Sequence, residues 1–168
     1  MNKKSSSNAK KIRTARLSVS VAIQEALEVG KILKKLGEIF DTHHETNLSK
    51  IKNCKAPSSE INICLSGYEL GRINGALRDY ITLRIANIVD SHPASLSLKA
   101  FDNINLDSIS KIPQIKQILD ARNNWIGHIN PRFIGPVNKD ILYSKEVVSL
   151  LETLQMLICT GAIKERKK

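Results

Sequence analysis

Arg122, Asn123, Asn124 and His128 fall within Asp120-Ala121-Arg122-Asn123-Asn124-Trp125-Ile126-Gly127-His128-Ile129-Asn130-Pro131, the stretch of this chain best supplied with groups that do chemistry. An imidazole can take or give a proton near neutral pH. A guanidinium presents a planar fork of donors to a phosphate or a carboxylate. The surrounding residues read as the inner face of a helix, because Ile115, Ile118, Leu119, Trp125, Ile126 and Ile129 recur at three- and four-residue steps. Arg122 lies on that same stripe, where a bundle would bury Leu or Ile. Desolvating its charge costs several kcal/mol unless a partner offsets it, so something must meet Arg122.

Two readings follow. In the first, Arg122 snorkels past Trp125 or pairs with a carboxylate such as Asp120 or Asp79, and His128 only caps a helix beyond Gly127. In the second, Arg122 and His128 share a ligand. On an unbroken α-helix six steps set their side chains about 120° apart, too far round for one phosphate. Gly127 can end or distort the helix, and Asn130-Pro131 ends it soon after. A twofold dimer relieves the problem further by bringing the Arg of each subunit near the His of the other.

Arg122-Asn123 followed by His128, late in the third long helix of a small helical chain, resembles the Arg-x4-6-His motif of HEPN-domain ribonucleases. Leu70 to Asp90, followed by Ser95-Leu96-Ser97-Leu98, resembles the helix, acidic end and Ser-Leu-rich connection of abortive-infection-type HEPN toxins. The resemblance covers about residues 60 to 160. It implies a metal-independent endoribonuclease, acting as a toxin or in phage defence or stress, with Arg122 and His128 catalytic. Asn123 and Asn124 would orient the phosphate or the imidazole, and the site would lie between the protomers of a homodimer. The implied partners are RNA and an antitoxin protein. HEPN bundles also serve without catalysis, so a helical module that binds a protein partner or small ligand is the alternative.

The net charge of +10 suggests a polyanion binder until it is located. Lys3, Lys4, Lys10, Lys11, Arg13 and Arg16 precede residue 17 with no acid among them, and Lys164, Arg166, Lys167 and Lys168 close the chain against Glu165. The body between holds only +1 of that total. Both ends read as solvated tails or as sequence-independent attractors of a polyanion. A helical DNA-associated protein that uses its tails is therefore a third reading. At 4% aromatic residues, a stacking platform for single strands is not supported.

Three cysteines without a close pair argue against a disulfide framework or zinc ribbon, and His43-His44-Glu45 reads as a surface helix end. No metal or cofactor is expected. No apolar run approaches a membrane span and no secretory signal is present, so a cytoplasmic protein is expected.

These residues must be positioned by helices. The pattern predicts an all-α, antiparallel four-helix bundle of HEPN type spanning residues 17–163, with a short extra helix after the second, a disordered basic tail over 1–16 and a basic tail over 164–168. The first helix, from about Leu17, turns Ala22, Ala26, Val29, Leu33, Leu36 and Phe40 inward. Ile61, Ile63 and Leu65 alternate like a strand, but the run is brief and has no partner elsewhere. Ser66-Gly67-Tyr68-Glu69 is a capping box for the second helix, whose stripe is Ile73, Leu77, Tyr80, Ile81, Ile85 and Ile88. Arg84 falls in that stripe, either as a second inward cation or as a rim residue. Gly71 and Gly75 would let another helix come close. Residues 102–112 read as an irregular connection before Pro113 opens the third helix. In the loop after Pro131, Arg132 is a further candidate for phosphate. The last helix starts near Ser144 and closes at Gly161.

Overall fold

The computed structural model describes residues 3–53, 55, 60–61, 65–92, 95, 97–126 and 138–164. They form an all-α helical bundle whose principal helices are α1 (Lys3–Lys52), α2 (Gly67–Ile88), α4 (Pro113–Ala121) and α6 (Lys145–Cys159). Two shorter helices, α3 (Leu106–Ser110) and α5 (Lys139–Leu142), lie in the connections. Glu25 of α1 meets Arg84 of α2, while Gly30 approaches Ile81, so these helices run in opposite directions. Arg16 bonds to the Ile158 carbonyl and Gln155 donates to Ser20, which sets α6 antiparallel to α1 as well.

The first helix starts before Leu17, where the sequence pattern placed its beginning. α1 begins at Lys3, and by Ala15, which is 3% exposed, it already faces the core. The Lys, Ser and Asn of this segment include no Pro or Gly, so nothing in it breaks a helix that packing further along stabilises. The inner stripe is also rotated from the expected one: Ala15, Val19, Ile23, Ala26, Gly30, Leu33 and Gly37 are buried, while Ala22, Val29, Leu36 and Phe40 are half-buried. Gly30 sits where α2 comes close, since a Cβ there would lie 3.3 Å from Ile81 Cδ1.

β1 (Glu60–Ile61) and β2 (Leu65–Ser66) pair antiparallel, Glu60 opposite Ser66 and Ile61 opposite Leu65. The alternating run thus supplies its own partner, a two-rung ladder too short to alter the fold class. Ser66 then caps α2: its Oγ accepts from the Glu69 amide at 3.2 Å, and the Glu69 carboxylate accepts from the Ser66 amide at 2.9 Å. The Ser66 hydroxyl also donates to the Glu69 carboxylate at 2.7 Å, and this bond with that from the Ser66 amide holds the Glu69 carboxyl below its ordinary range.

On α2 the buried face is Leu70, Asn74, Ile81, Thr82, Ile85, Ala86 and Ile88. Ile73 and Tyr80, expected inside, are 40% and 36% exposed. Gly71 and Gly75 face open space rather than another helix. The expected short helix after α2 is a 3-10 turn, Leu98–Ala100, which buries Leu98 and leads into buried Phe101. In the supposedly irregular connection, the Asn105 side chain accepts from Ser108 and starts α3. Pro113 occupies the first turn of α4, and Ser144 caps α6. At the far end Gly161 takes φ +71°, the left-handed turn that closes α6.

Candidate site around Arg122

Arg122 follows directly on α4, at a π-helical turn spanning Arg122–Ile126. On α4 the inward face is Ile115, Ile118 and Ala121, each at most 1% exposed. Arg122, one position beyond Ala121, stands at the edge of this seam with its side chain 25% exposed. An alanine completes the inner face where the apolar count placed the cation. A π-helical turn admits an extra residue into the helix, and such turns recur at functional sites.

The partner of Arg122 is neither Asp120, which is exposed, nor Asp79. Its Nη1 lies 3.6 Å from Oδ2 of Asp90, whose side chain is 16% exposed. Asp90 sits in the turn just beyond α2 and is itself tied down. Its Oδ1 accepts from the His92 amide at 3.0 Å, and its carbonyl accepts from the Ser97 hydroxyl. Burial pushes the Asp90 carboxyl up, but the His92 amide, the Arg122 guanidinium and the Ser95 hydroxyl together hold it below the usual carboxylate range. The carboxylate stays ionised and faces the cation. Nε of Arg122 is buried with no hydrogen-bond partner among the described residues. A buried donor left in that state is destabilising by roughly 1–3 kcal/mol unless a further group takes it up.

Asp79 behaves differently. It is half-buried, and burial raises its carboxyl above the ordinary range, with Arg78 pulling the other way.

Asn123 is exposed. Asn124 is half-buried, and its Nδ2 donates to the Asp120 carbonyl at 2.8 Å, one turn back along the helix. Arg84 is a rim residue. Its Nε donates to the Tyr80 hydroxyl at 3.0 Å and lies 2.9 Å from Glu25, while its guanidinium carbon sits 5.0 Å above the Tyr80 ring. His128 and Arg132 lie outside the described residues; of the other four candidates, Arg122, Asn123 and Asn124 share one helix end and Arg84 belongs to α2, where it lines a cavity with Asn87, Ile88 and Ser95.

Asp90 is the member of the site that the helical pattern missed. It belongs to no stripe, being placed by a turn in which its own side chain caps the following amide. The signal was there in Asp90-Ser91-His92-Pro93, an acid followed by a helix stop.

Among the described residues no three His, Cys, Asp or Glu side chains gather into a group able to hold a metal. No helix of the described residues is long and apolar enough to cross a membrane. No family model, curated protein or solved structure matches the chain.

Proposed function

We propose that this chain is a metal-independent endoribonuclease of HEPN type, active as a cytoplasmic homodimer and serving as a toxin or in phage defence. One observation carries the reading. The two stretches that resemble HEPN toxins, α2 with its acidic end and the helix bearing Arg122, meet where Asp90 contacts Arg122 at 3.6 Å. The all-α bundle, the π-helical turn and the Nε of Arg122, buried with no hydrogen-bond partner among the described residues, support it further.

RNA carries its own nucleophile. The 2′-hydroxyl attacks the adjacent phosphorus, the bond from phosphorus to the 5′-oxygen breaks, and a 2′,3′-cyclic phosphate remains. His128 manages the proton on these oxygens, its ordinary pKa lying near neutrality. Arg122 meets the negative charge that builds on the phosphate, held at the seam's edge by Asp90. Asn123 and Asn124 flank the phosphate.

The purified protein should therefore cut single-stranded RNA in the presence of EDTA and leave 2′,3′-cyclic phosphate ends. Arg122→Ala and His128→Ala should each lower the rate by about 100-fold or more, the range of acid-base and charge stabilisation. Full activity in either variant rejects the assignment.

The Asp90 contact also supports a second reading, in which Arg122 is a structural cation in a non-catalytic HEPN-like module that binds a protein such as an antitoxin. Expression in bacteria separates the two. Growth arrest that disappears with His128→Ala marks the nuclease; growth unaffected by the intact chain marks the binding module.

A further inference from the structure

Arg16 and Lys164, remote in sequence, are brought to one end of the bundle. Arg16 of α1 donates to the carbonyl of Ile158, in the last turn of α6, and a Cβ on Gly161 would lie 3.4 Å from its Nη2. Residues 162–164 are then pinned to the segment after Phe101. Asn103 donates to the Ala162 carbonyl at 3.2 Å and accepts from the Lys164 amide at 3.1 Å, while the Asp102 amide donates to the Lys164 carbonyl at 3.1 Å. Lys10, Arg13 and Lys164 are exposed, and Lys99 of the neighbouring turn is half-buried. Among the described residues the acids near this end include Asp90, engaged by Arg122, and Asp102 and Asp107, which line one cavity with Lys99.

The same end holds the candidate site. Ser18, Val19 and Ala22, just past Arg16, line a cavity of about 340 Å³ with Arg84, Asn87, Ile88 and Ser95. Asn87 and Ile88 lie within one turn of Asp90. Among the described residues, Lys10, Arg13 and Arg16 from one end of the sequence and Lys164 from the other therefore share the end of the bundle that carries Arg122, while the body between the two tails is nearly neutral.

We propose that this joined end is the docking surface for the phosphate backbone of single-stranded RNA, delivering the strand to Arg122. The identity of the polyanion rests on the nuclease reading; the existence of the surface rests on the packing of α1 against α6 and on the charge. Exposed Lys and Arg bind phosphates by releasing counterions, so affinity falls with salt by about 0.7 log units per log unit of salt for each phosphate neutralised on a single strand.

The test uses the full chain carrying His128→Ala, which binds without cutting, and a short fluorescein-labelled single-stranded RNA. Affinity is followed by anisotropy from low to physiological salt. Adding Lys10→Gln, Arg13→Gln and Lys164→Gln should lower the salt slope by about 2 and weaken binding by at least about 10-fold. A control with Lys31→Gln, Lys34→Gln and Lys145→Gln, equally exposed but around a separate cavity between α1 and α6, should leave the slope unchanged. An equal loss in both triple variants overturns the proposal, as does a duplex DNA of the same length binding with the same affinity and slope. Binding that follows this pattern in a chain whose parent never cuts RNA defeats the nuclease reading and leaves the surface standing. Cutting with an unchanged slope does the reverse.

Discussion

Arg122 poses the question of what a cation does at the edge of an apolar seam, and Asp90 answers part of it. The pair is neither a surface ion pair, worth about 0–1 kcal/mol, nor fully buried, where losing one partner is destabilising by about 3–5 kcal/mol. With the two side chains 25% and 16% exposed, Asp90→Asn should destabilise the protein by roughly 1–2 kcal/mol, read from urea unfolding. Much of that loss should vanish when Arg122→Ala is already present, because the two changes remove one interaction. The pH dependence has a fixed sign. The folded state holds the Asp90 carboxyl below its ordinary value, so its contribution is complete above that value and is lost as pH falls through the depressed one. The gap in stability between wild type and Asp90→Asn should therefore be widest at neutral pH and close in acid. A gap that widens in acid contradicts the assignment of Asp90 as the charged partner. The sequence showed that Arg122 needed an acceptor, because its stripe is otherwise Ile and Leu. It did not show which, since periodicity ranks residues on helices and Asp90 is held in a turn.

Among the helices, glycine helps to decide which face is buried. Helix type, the capping box at Ser66, Pro113 at the start of α4 and Gly161 at the end of α6 were all readable because each is a local signal. The face that each helix buries was less readable. Counting apolar residues on α1 selected Ala22, Val29, Leu36 and Phe40, whereas the helix turns Gly30 and Gly37 to the core, and at Gly30 the absence of a side chain permits the close approach of Ile81. On α2 the same count chose Ile73 and Tyr80 over Leu70 and Asn74. The glycines of α2 do the opposite of those on α1, and substitution should tell them apart. Gly71→Ala and Gly75→Ala meet nothing within 4 Å and should stabilise α2 by about 0.5–1 kcal/mol each through helix propensity. Gly30→Leu must find room where Ile81 is fully buried, and should destabilise by roughly 1–3 kcal/mol as α1 and α2 are forced apart. Thermal unfolding of the three variants checks the contrast; a Gly30→Leu protein as stable as wild type would mean that α1 does not lie against α2 at this point.

At the scale of the whole molecule, the nuclease reading makes the dimer part of the catalyst, and this can be tested without knowing the natural RNA. If Arg122 of one subunit serves the site completed by His128 of the other, a heterodimer of Arg122→Ala with His128→Ala contains one site that has lost both groups and one that keeps both. Each parent homodimer contains only damaged sites. Mixing the two inactive variants under conditions that exchange subunits yields heterodimers as about half the population, each with one of its two sites intact, so about a quarter of wild-type cleavage should return. The measurement is the rate of appearance of 2′,3′-cyclic phosphate ends as the mixture equilibrates, with the unmixed variants as baselines. Recovery that rises with subunit exchange fixes the site at the twofold axis. An active wild type whose variants never complement would place Arg122 and His128 of a single chain on one phosphate, which the helix between them permits only if Gly127 turns it back on itself.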